Sequence, residues 1–200
     1  MGREREPRLA EIKSALELAL EKAERYGKAS REEMAAAQYQ EQGRQLAVSF
    51  LKGEGDLEAE YKQLAPEAQA AAGVAIKEVF LRNIGLPRNG EADGRLERAM
   101  AGLLLVAGSK NNMARLTAEL QQLLQQFLQF RNNAMQQLKA RFAQSLPQMQ
   151  RAMEAKTGQR VQLEAEQIPQ FQEEWRRFHG QLQDQFEPML EQLKERILQA

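Results

Sequence analysis

The chain contains no cysteine and a single histidine, His179, among its 200 residues. Without cysteine it can form no disulfide framework, no thiolate nucleophile and no zinc–thiolate site. One histidine cannot supply the histidine pair of a zinc peptidase, and Arg176 stands where the Glu-x-x-His motif of a di-iron bundle needs glutamate. We therefore predict no catalytic residues, no cofactor and no metal site.

Long apolar runs and an excess of one charge are also absent. The longest apolar run, residues 101–107, is interrupted by Gly102, whereas a membrane-spanning helix needs about 20 apolar residues. The first residues, MGREREPR, lack the apolar stretch of a signal peptide, so we expect a cytoplasmic protein. Basic and acidic residues number 28 each, which leaves no net charge to attract nucleic acid.

What the chain does contain is apolar residues at helical spacing, and no segment alternates long enough to predict a strand. The spacing predicts helices over residues 8–26 and 30–51. Gly27 is predicted to end the first helix, and Ser30 with Glu33 has the pattern of a capping box that begins the second.

Two further helices are predicted to begin at Asp56 and Pro66, so residues 8–85 form a group of short helices. Residues 86–94 contain Asn-Gly and Asp-Gly pairs and are the predicted linker. Residues 95–200 follow as a second region, which is able to pack with the first as one domain.

The second region is predicted to end in a long helical hairpin. A first helix ends at Gly108, and a second runs over residues 112–156 with a kink at Pro147. After a reversal at Gly158, a last helix follows Pro169. Since two long helices with a short connection fold back on each other, the predicted fold class is all-α, with short helices and a long antiparallel hairpin.

The charges of the two limbs favour this pairing. Residues 131–160 hold six basic residues and one acidic residue, whereas residues 161–200 hold eight acidic and four basic residues. Opposite charges on facing helices attract, so we expect the limbs to neutralise each other in part.

The segment Gly108-Ser109-Lys110 invites comparison with a phosphate-binding loop. It lacks the first glycine of that motif, has serine before lysine, and follows a helix where the motif requires a strand. We interpret it as a turn between two helices, with Ser109 or a following asparagine as the N-cap.

The most unusual feature of the long helix is its glutamine content. Leucines and aromatic residues cover an arc of about 160° that is wide enough to touch two neighbouring helices: Leu120, Leu123, Leu124, Phe127, Leu128, Phe130, Ala134, Met135 and Leu138. Glutamines fill the other side, and an amide is buried against a second helix at lower cost than an ion. We predict that Gln122, Gln125 and Gln129 meet a second subunit; the alternative is a solvated helix that is merely rich in glutamine.

Three segments carry a resemblance: IKSALELALEKA (residues 12–23), EQGRQLAVSFL (residues 41–51) and MEAKTGQRVQL (residues 153–163). Together they resemble a family of uncharacterised bacterial helical proteins, a domain of unknown function. The resemblance implies a bacterial, soluble, helical protein and brings no activity, substrate or functional residue.

These observations favour a non-enzymatic scaffold or protein–protein interaction module that forms a homodimer and presents helix faces to a protein partner. The alternative is a peripheral protein that lays amphipathic helices on a lipid or granule surface, although its most apolar helix carries glutamine where such helices carry Lys and Arg.

Two other classes remain open. A small-ligand pocket would use Arg176, Trp175 and His179. Nucleic-acid binding, which we do not expect, would use four basic residues: Lys139, Arg141, Arg151 and Arg160.

Overall fold

The computed structural model describes residues 15–87, 94–158 and 162–200, and every regular element in these ranges is helical. The elements, in chain order, are α1 (Ala15–Lys52), α2 (Leu57–Gln63), α3 (Pro66–Arg82), α4 (Gly94–Leu105), α5 (Lys110–Ala143), α6 (Leu146–Thr157), a 3-10 turn (Ala165–Gln167) and α7 (Pro169–Gln199). The predicted all-α fold is confirmed. Most of the predicted linker, residues 88–93, lies outside the described residues.

The first long helix differs from the prediction. α1 is one helix of 38 residues that passes through Gly27 and Ser30, so the predicted break between residues 26 and 30 is wrong. A glycine inside a helix costs about 1 kcal/mol relative to alanine, and strong helix formers on both sides of Gly27 outweigh that cost. The amino-terminal group is therefore not made of short helices alone, and the predicted start at residue 8 lies outside the described residues.

Other predicted helix ends are confirmed. Asp56 is the N-cap of α2, and its carboxylate accepts a hydrogen bond of 3.1 Å from the backbone N–H of Ala59. Pro66 occupies the first turn of α3, where its missing N–H is not needed. The segment around Ser109 is a turn between α4 and α5 as predicted, but the Ser109 hydroxyl makes no capping hydrogen bond.

The predicted helix over residues 112–156 is two helices. α5 ends at Ala143, where the Ser145 hydroxyl donates a hydrogen bond of 2.9 Å to the carbonyl of Phe142. Pro147 then lies in the first turn of α6. Because proline has no N–H for the carbonyl four residues before it and its ring crowds that carbonyl, the chain ends one helix and starts another where we predicted a kink.

The main core joins helices from both sides of the linker. Phe80 of α3, Leu103 of α4, Phe127 of α5 and Leu190 of α7 are all fully buried in it. The Arg98 side chain, which donates a 3.0 Å hydrogen bond to the carbonyl of Leu51, ties α4 to the end of α1. We call the region around this core the body (residues 43–87, 94–130 and 181–200).

The close approach of α1 to α3 within the body depends on a glycine. A Cβ atom on Gly43 would lie 2.5 Å from the carbonyl oxygen of Ala72, well inside contact distance. Only the absent side chain lets the two backbones touch, which explains a helical glycine that sequence alone marks as unfavourable.

α5 and α7 run in opposite directions along each other. Glu119 near the start of α5 pairs with Arg196 near the end of α7 at 2.9 Å, whereas Phe142 near the end of α5 contacts Phe171 near the start of α7, with ring centroids 5.4 Å apart. Beyond the body, the other described elements beside this helix pair are α6 and the 3-10 turn, and we call this part the distal arm (residues 131–158 and 162–180).

The distal arm has a small core of its own. Ala165, Ile168 and Phe171 are buried there, and the remaining apolar residues of this core are half-buried: Met135, Leu138, Phe142, Leu146, Met149 and Trp175. Salt bridges join Lys139 to Glu166 and Arg141 to Glu174 across it. The opposite charges of the two limbs thus meet in these pairs.

Candidate self-association face

The outer side of α5 carries amides instead of charges. Gln122, Gln125 and Gln129 are all exposed, and they lie three to four residues apart on one side of the helix. Leu123 and Phe127, on the opposite side, are buried in the main core. From residue 120 to residue 130 the helix has no charged side chain.

α7 adds exposed amides on the neighbouring helix, with the exposed cations Arg177 and Arg196 at the two ends of this row. Its exposed glutamines recur at helical spacing, and the first of them lines the same groove as Gln137 of α5. The acidic side chains of this half of α7 occupy a different side of the helix: Asp184, Glu187, Glu191 and Glu195. We call the exposed amides of the two helices the amide face: Gln122, Gln125, Gln129, Gln137, Gln181, Gln185 and Gln192.

Two large apolar side chains are exposed next to these amides. Phe130 of α5 is 57% exposed and Met189 of α7 is 46% exposed. One side of the Phe130 ring packs on Phe186, with centroids 6.0 Å apart, and the rest faces outward. Phe130 belongs to the apolar arc predicted for α5, and it lies at the edge of that arc, where Phe186 of α7 covers only part of its ring.

A groove lies between α5 and α7 in the distal arm, with a volume of about 380 Å³. Apolar side chains from both helices line it: Ala134 and Leu138 from α5, Trp175 and Phe178 from α7. The Trp175 and Phe178 rings are stacked, with an interplanar angle of 25°. Gln137 and Gln181 also line this groove, as do three charged residues, Arg141, Glu174 and Arg177; we call it the Leu138 groove.

A second groove lies on the other side of Trp175 and has a volume of about 560 Å³. Trp175, Arg176 and His179 all line it, so the structure does bring together the three residues of the small-ligand hypothesis. We call it the His179 groove. All three come from two adjacent turns of α7, and α5 contributes Met135 to the same groove.

The imidazole of His179 is held among aromatic rings. Its centroid is 5.6 Å from that of Trp175 and 6.2 Å from that of Phe127. Burial, followed by the positive charge of Arg131, lowers the pKa of His179 below its usual value, while a hydrogen bond with the Gln183 side chain acts in the opposite direction. The structure therefore favours the neutral imidazole.

Arg131 supports the same cluster from α5. Its guanidinium lies over the Trp175 ring, 5.8 Å from the centroid, in the geometry of a cation–π contact. Its Nε atom is buried and has no hydrogen-bond partner among the described residues. Sequence reasoning did not connect Arg131 with Trp175, because their contact depends on the register between two helices.

The basic residues considered for nucleic-acid binding are dispersed. Lys139 and Arg141 form the salt bridges with Glu166 and Glu174, and Arg151 is exposed on α6. Arg160 lies outside the described residues. Two of the four cations therefore have their charge offset within the chain.

Within the described ranges, no cluster of three or more His, Cys, Asp or Glu side chains is placed to hold a metal ion. No helix in this part of the chain is both long and apolar enough to cross a membrane. The fold and the amide face define an all-helical protein whose candidate site is an exposed surface.

The chain belongs to DUF6657, a family of unknown function whose model matches residues 58–199. The match includes all of α3 to α7, and so both the amide face and the two grooves. The prediction of a family without a known function is confirmed. Of the three segments that carry the resemblance, residues 153–163 lie inside the matched range and the other two precede it. No curated protein and no solved structure matches the chain.

Proposed function

We propose that this protein is a non-enzymatic scaffold that forms a homodimer through the amide face. The observation that carries the proposal is Phe130, which is 57% exposed at the edge of a surface without charges. An exposed aromatic side chain surrounded by polar, uncharged groups is typical of protein interfaces, where Phe, Tyr and Trp are enriched.

The amides favour a second copy of the same chain as the partner. Each glutamine both donates and accepts hydrogen bonds, so a surface of glutamines complements itself across a two-fold axis. A face of like charges would repel its own copy in the same arrangement. Burying amides also avoids the cost of removing ions from water.

The proposal is tested by placing like charges on the face. In the triple variant Gln122→Lys, Gln125→Lys and Gln129→Lys, dimer formation would remove three cations of each copy from water, and we expect dissociation to single chains. Light scattering coupled to size exclusion measures the mass. If the variant keeps the mass of a wild-type dimer, the face is not the interface.

A matched control separates charge from position. Gln38, Gln45 and Gln63 are exposed glutamines on α1 and α2, away from the amide face. Their replacement by lysine adds the same charge, and we expect the dimer to persist. Equal dissociation of both triple variants would show a general effect of charge and would contradict the proposed interface.

Binding to a lipid or granule surface is the alternative. Helices that lie on anionic membranes use Lys and Arg beside the apolar side chains, whereas residues 120–130 of α5 carry neither, and Arg141 at the adjoining groove is paired with Glu174. We therefore expect the protein to remain in the supernatant when anionic vesicles are sedimented. Pelleting with the vesicles, with more pelleting of the lysine triple variant, would favour the alternative.

A further inference from the structure

Phe130 and the Leu138 groove lie on the same side of the α5–α7 pair. Gln137, which lines the groove, is seven residues after Phe130 and so lies on the same stripe of α5. At about 1.5 Å per residue, the aromatic side chain and the groove are roughly 10 Å apart along the helix. Each chain thus presents a projecting ring beside a groove that has apolar side chains in its lining and the Arg141–Glu174 ion pair and Arg177 along it.

We propose that, in the dimer, Phe130 of each copy inserts into the Leu138 groove of the other. This inference rests on the proposed self-association and adds its geometry. In a two-fold interface, if one residue of the first copy contacts a second residue of the other copy, the same two residues also meet with the copies exchanged. If Phe130 lies opposite residues 136 and 137 of the other copy, the two-fold axis crosses α5 at or just after Asn133, and the two α5 helices are antiparallel.

The groove suits a phenyl ring. Its apolar lining includes the stacked Trp175 and Phe178 rings, and aromatic side chains favour offset or edge-to-face contact with such rings. Its volume of about 380 Å³ leaves room for one phenyl group. Insertion would cover the exposed face of Phe130 and the half-buried Trp175 in one step.

The amides bordering the groove complete the contact. With an axis at Asn133, Gln129 of one copy faces Gln137 of the other, since both lie four residues from the axis on the exposed side of α5. Two glutamine side chains in that position can exchange hydrogen bonds. The uncharged stretch of α5 and the groove then form one interface.

Crosslinking tests this register, because the chain has no cysteine and any introduced cysteine is unique. A disulfide requires Cα atoms within about 7 Å. We expect Asn133→Cys to crosslink with its own copy. Gln129→Cys and Gln137→Cys should each fail to form a crosslinked dimer alone, because each residue is displaced by about 12 Å along the helix from the same residue of the other copy. They should crosslink when the two proteins are mixed.

The control is Arg82→Cys, at an exposed position on α3, which should yield no dimer. Self-crosslinking of Gln129→Cys and Gln137→Cys without mixed product would show parallel helices and overturn the inference while leaving self-association intact. A wild-type mass of one chain, measured on the same samples, would instead overturn the proposed function.

Trp175 offers an independent readout, since it is the single tryptophan of the chain. On dilution of the wild type to monomers, we expect its emission to shift to the red as Phe130 leaves the groove. In Phe130→Ala, the spectrum should already be red-shifted and should not change on dilution. An unchanged Trp175 spectrum across a dimer-to-monomer transition of the wild type would contradict insertion.

Discussion

The body and the distal arm share α5 and α7, yet they bury their apolar side chains to different extents. In the body, where six helices meet, Phe80, Leu103, Phe127 and Leu190 are completely covered. In the distal arm, two helices with α6 beside them leave Leu138 and other apolar residues half-buried. An amphipathic helix needs neighbours on more than one side to cover a wide apolar arc. The comparison therefore assigns complete burial of large apolar side chains to the body and partial burial to the distal arm.

The largest difference is expected between two phenylalanines. Phe80→Ala removes a fully buried ring from the body, and we expect it to lower the free energy of unfolding by about 3–5 kcal/mol. Phe142→Ala removes a half-buried ring from the arm, where burial of a whole side chain contributes about 1.5–3 kcal/mol and partial burial less. Urea unfolding measures both; equal losses would show that the arm is packed as tightly as the body.

Substitution of two helical glycines is expected to change the free energy of unfolding by smaller amounts and with opposite signs. Gly43→Ala places a Cβ atom against the backbone of Ala72, and we expect a loss of about 1–3 kcal/mol as α1 and α3 separate. Gly180→Ala meets nothing within 4 Å, so we expect a gain of about 0.5–1 kcal/mol from helix propensity. Thermal unfolding of the two variants gives the sign of each effect, and destabilisation by Gly180→Ala would reveal packing around this part of the arm.

The smallest effect concerns pH and is confined to the arm. The pKa of His179 is lower in the folded chain than its unfolded value of about 6.5, so between these values the unfolded chain binds more protons. Stability should therefore fall as the pH drops through about 6.5. The hydrogen bond from Lys139 lowers the pKa of Glu166. Glu166 therefore titrates at a lower pH than His179 does.

The control for this prediction is His179→Gln, which cannot take up the proton. Urea unfolding at pH 7.5, 6.5 and 5.5 is expected to show a slope in the wild type that is reduced in the variant. An identical slope in both proteins would mean that another group causes the pH dependence.

Much of the fold follows from local sequence signals. The Asp56 cap and the start at Pro66 are properties of a few neighbouring residues, and they are where the sequence predicts them. Gly27 carries an equally clear signal for a helix end, but the flanking helix formers outweigh it. The break after Ala143 depends on how the backbone responds to Pro147, which the amphipathic pattern does not report.

The candidate site could be predicted only in part. The exposure of Gln122, Gln125 and Gln129 follows from their position opposite the leucines. The exposure of Phe130 and the contact of Arg131 with Trp175 depend on where α7 crosses α5, and neither helix specifies that register alone. For this reason the exposure of Phe130 is known only from the structure, whereas the amides beside it could be predicted from the sequence.

The most direct test of the central claim is the mass of the unmodified protein in solution, measured by light scattering over a dilution series. We expect the mass of two chains at high concentration and a shift towards one chain as the protein is diluted. A mass of one chain at every concentration would contradict the claim that a second copy covers the amide face.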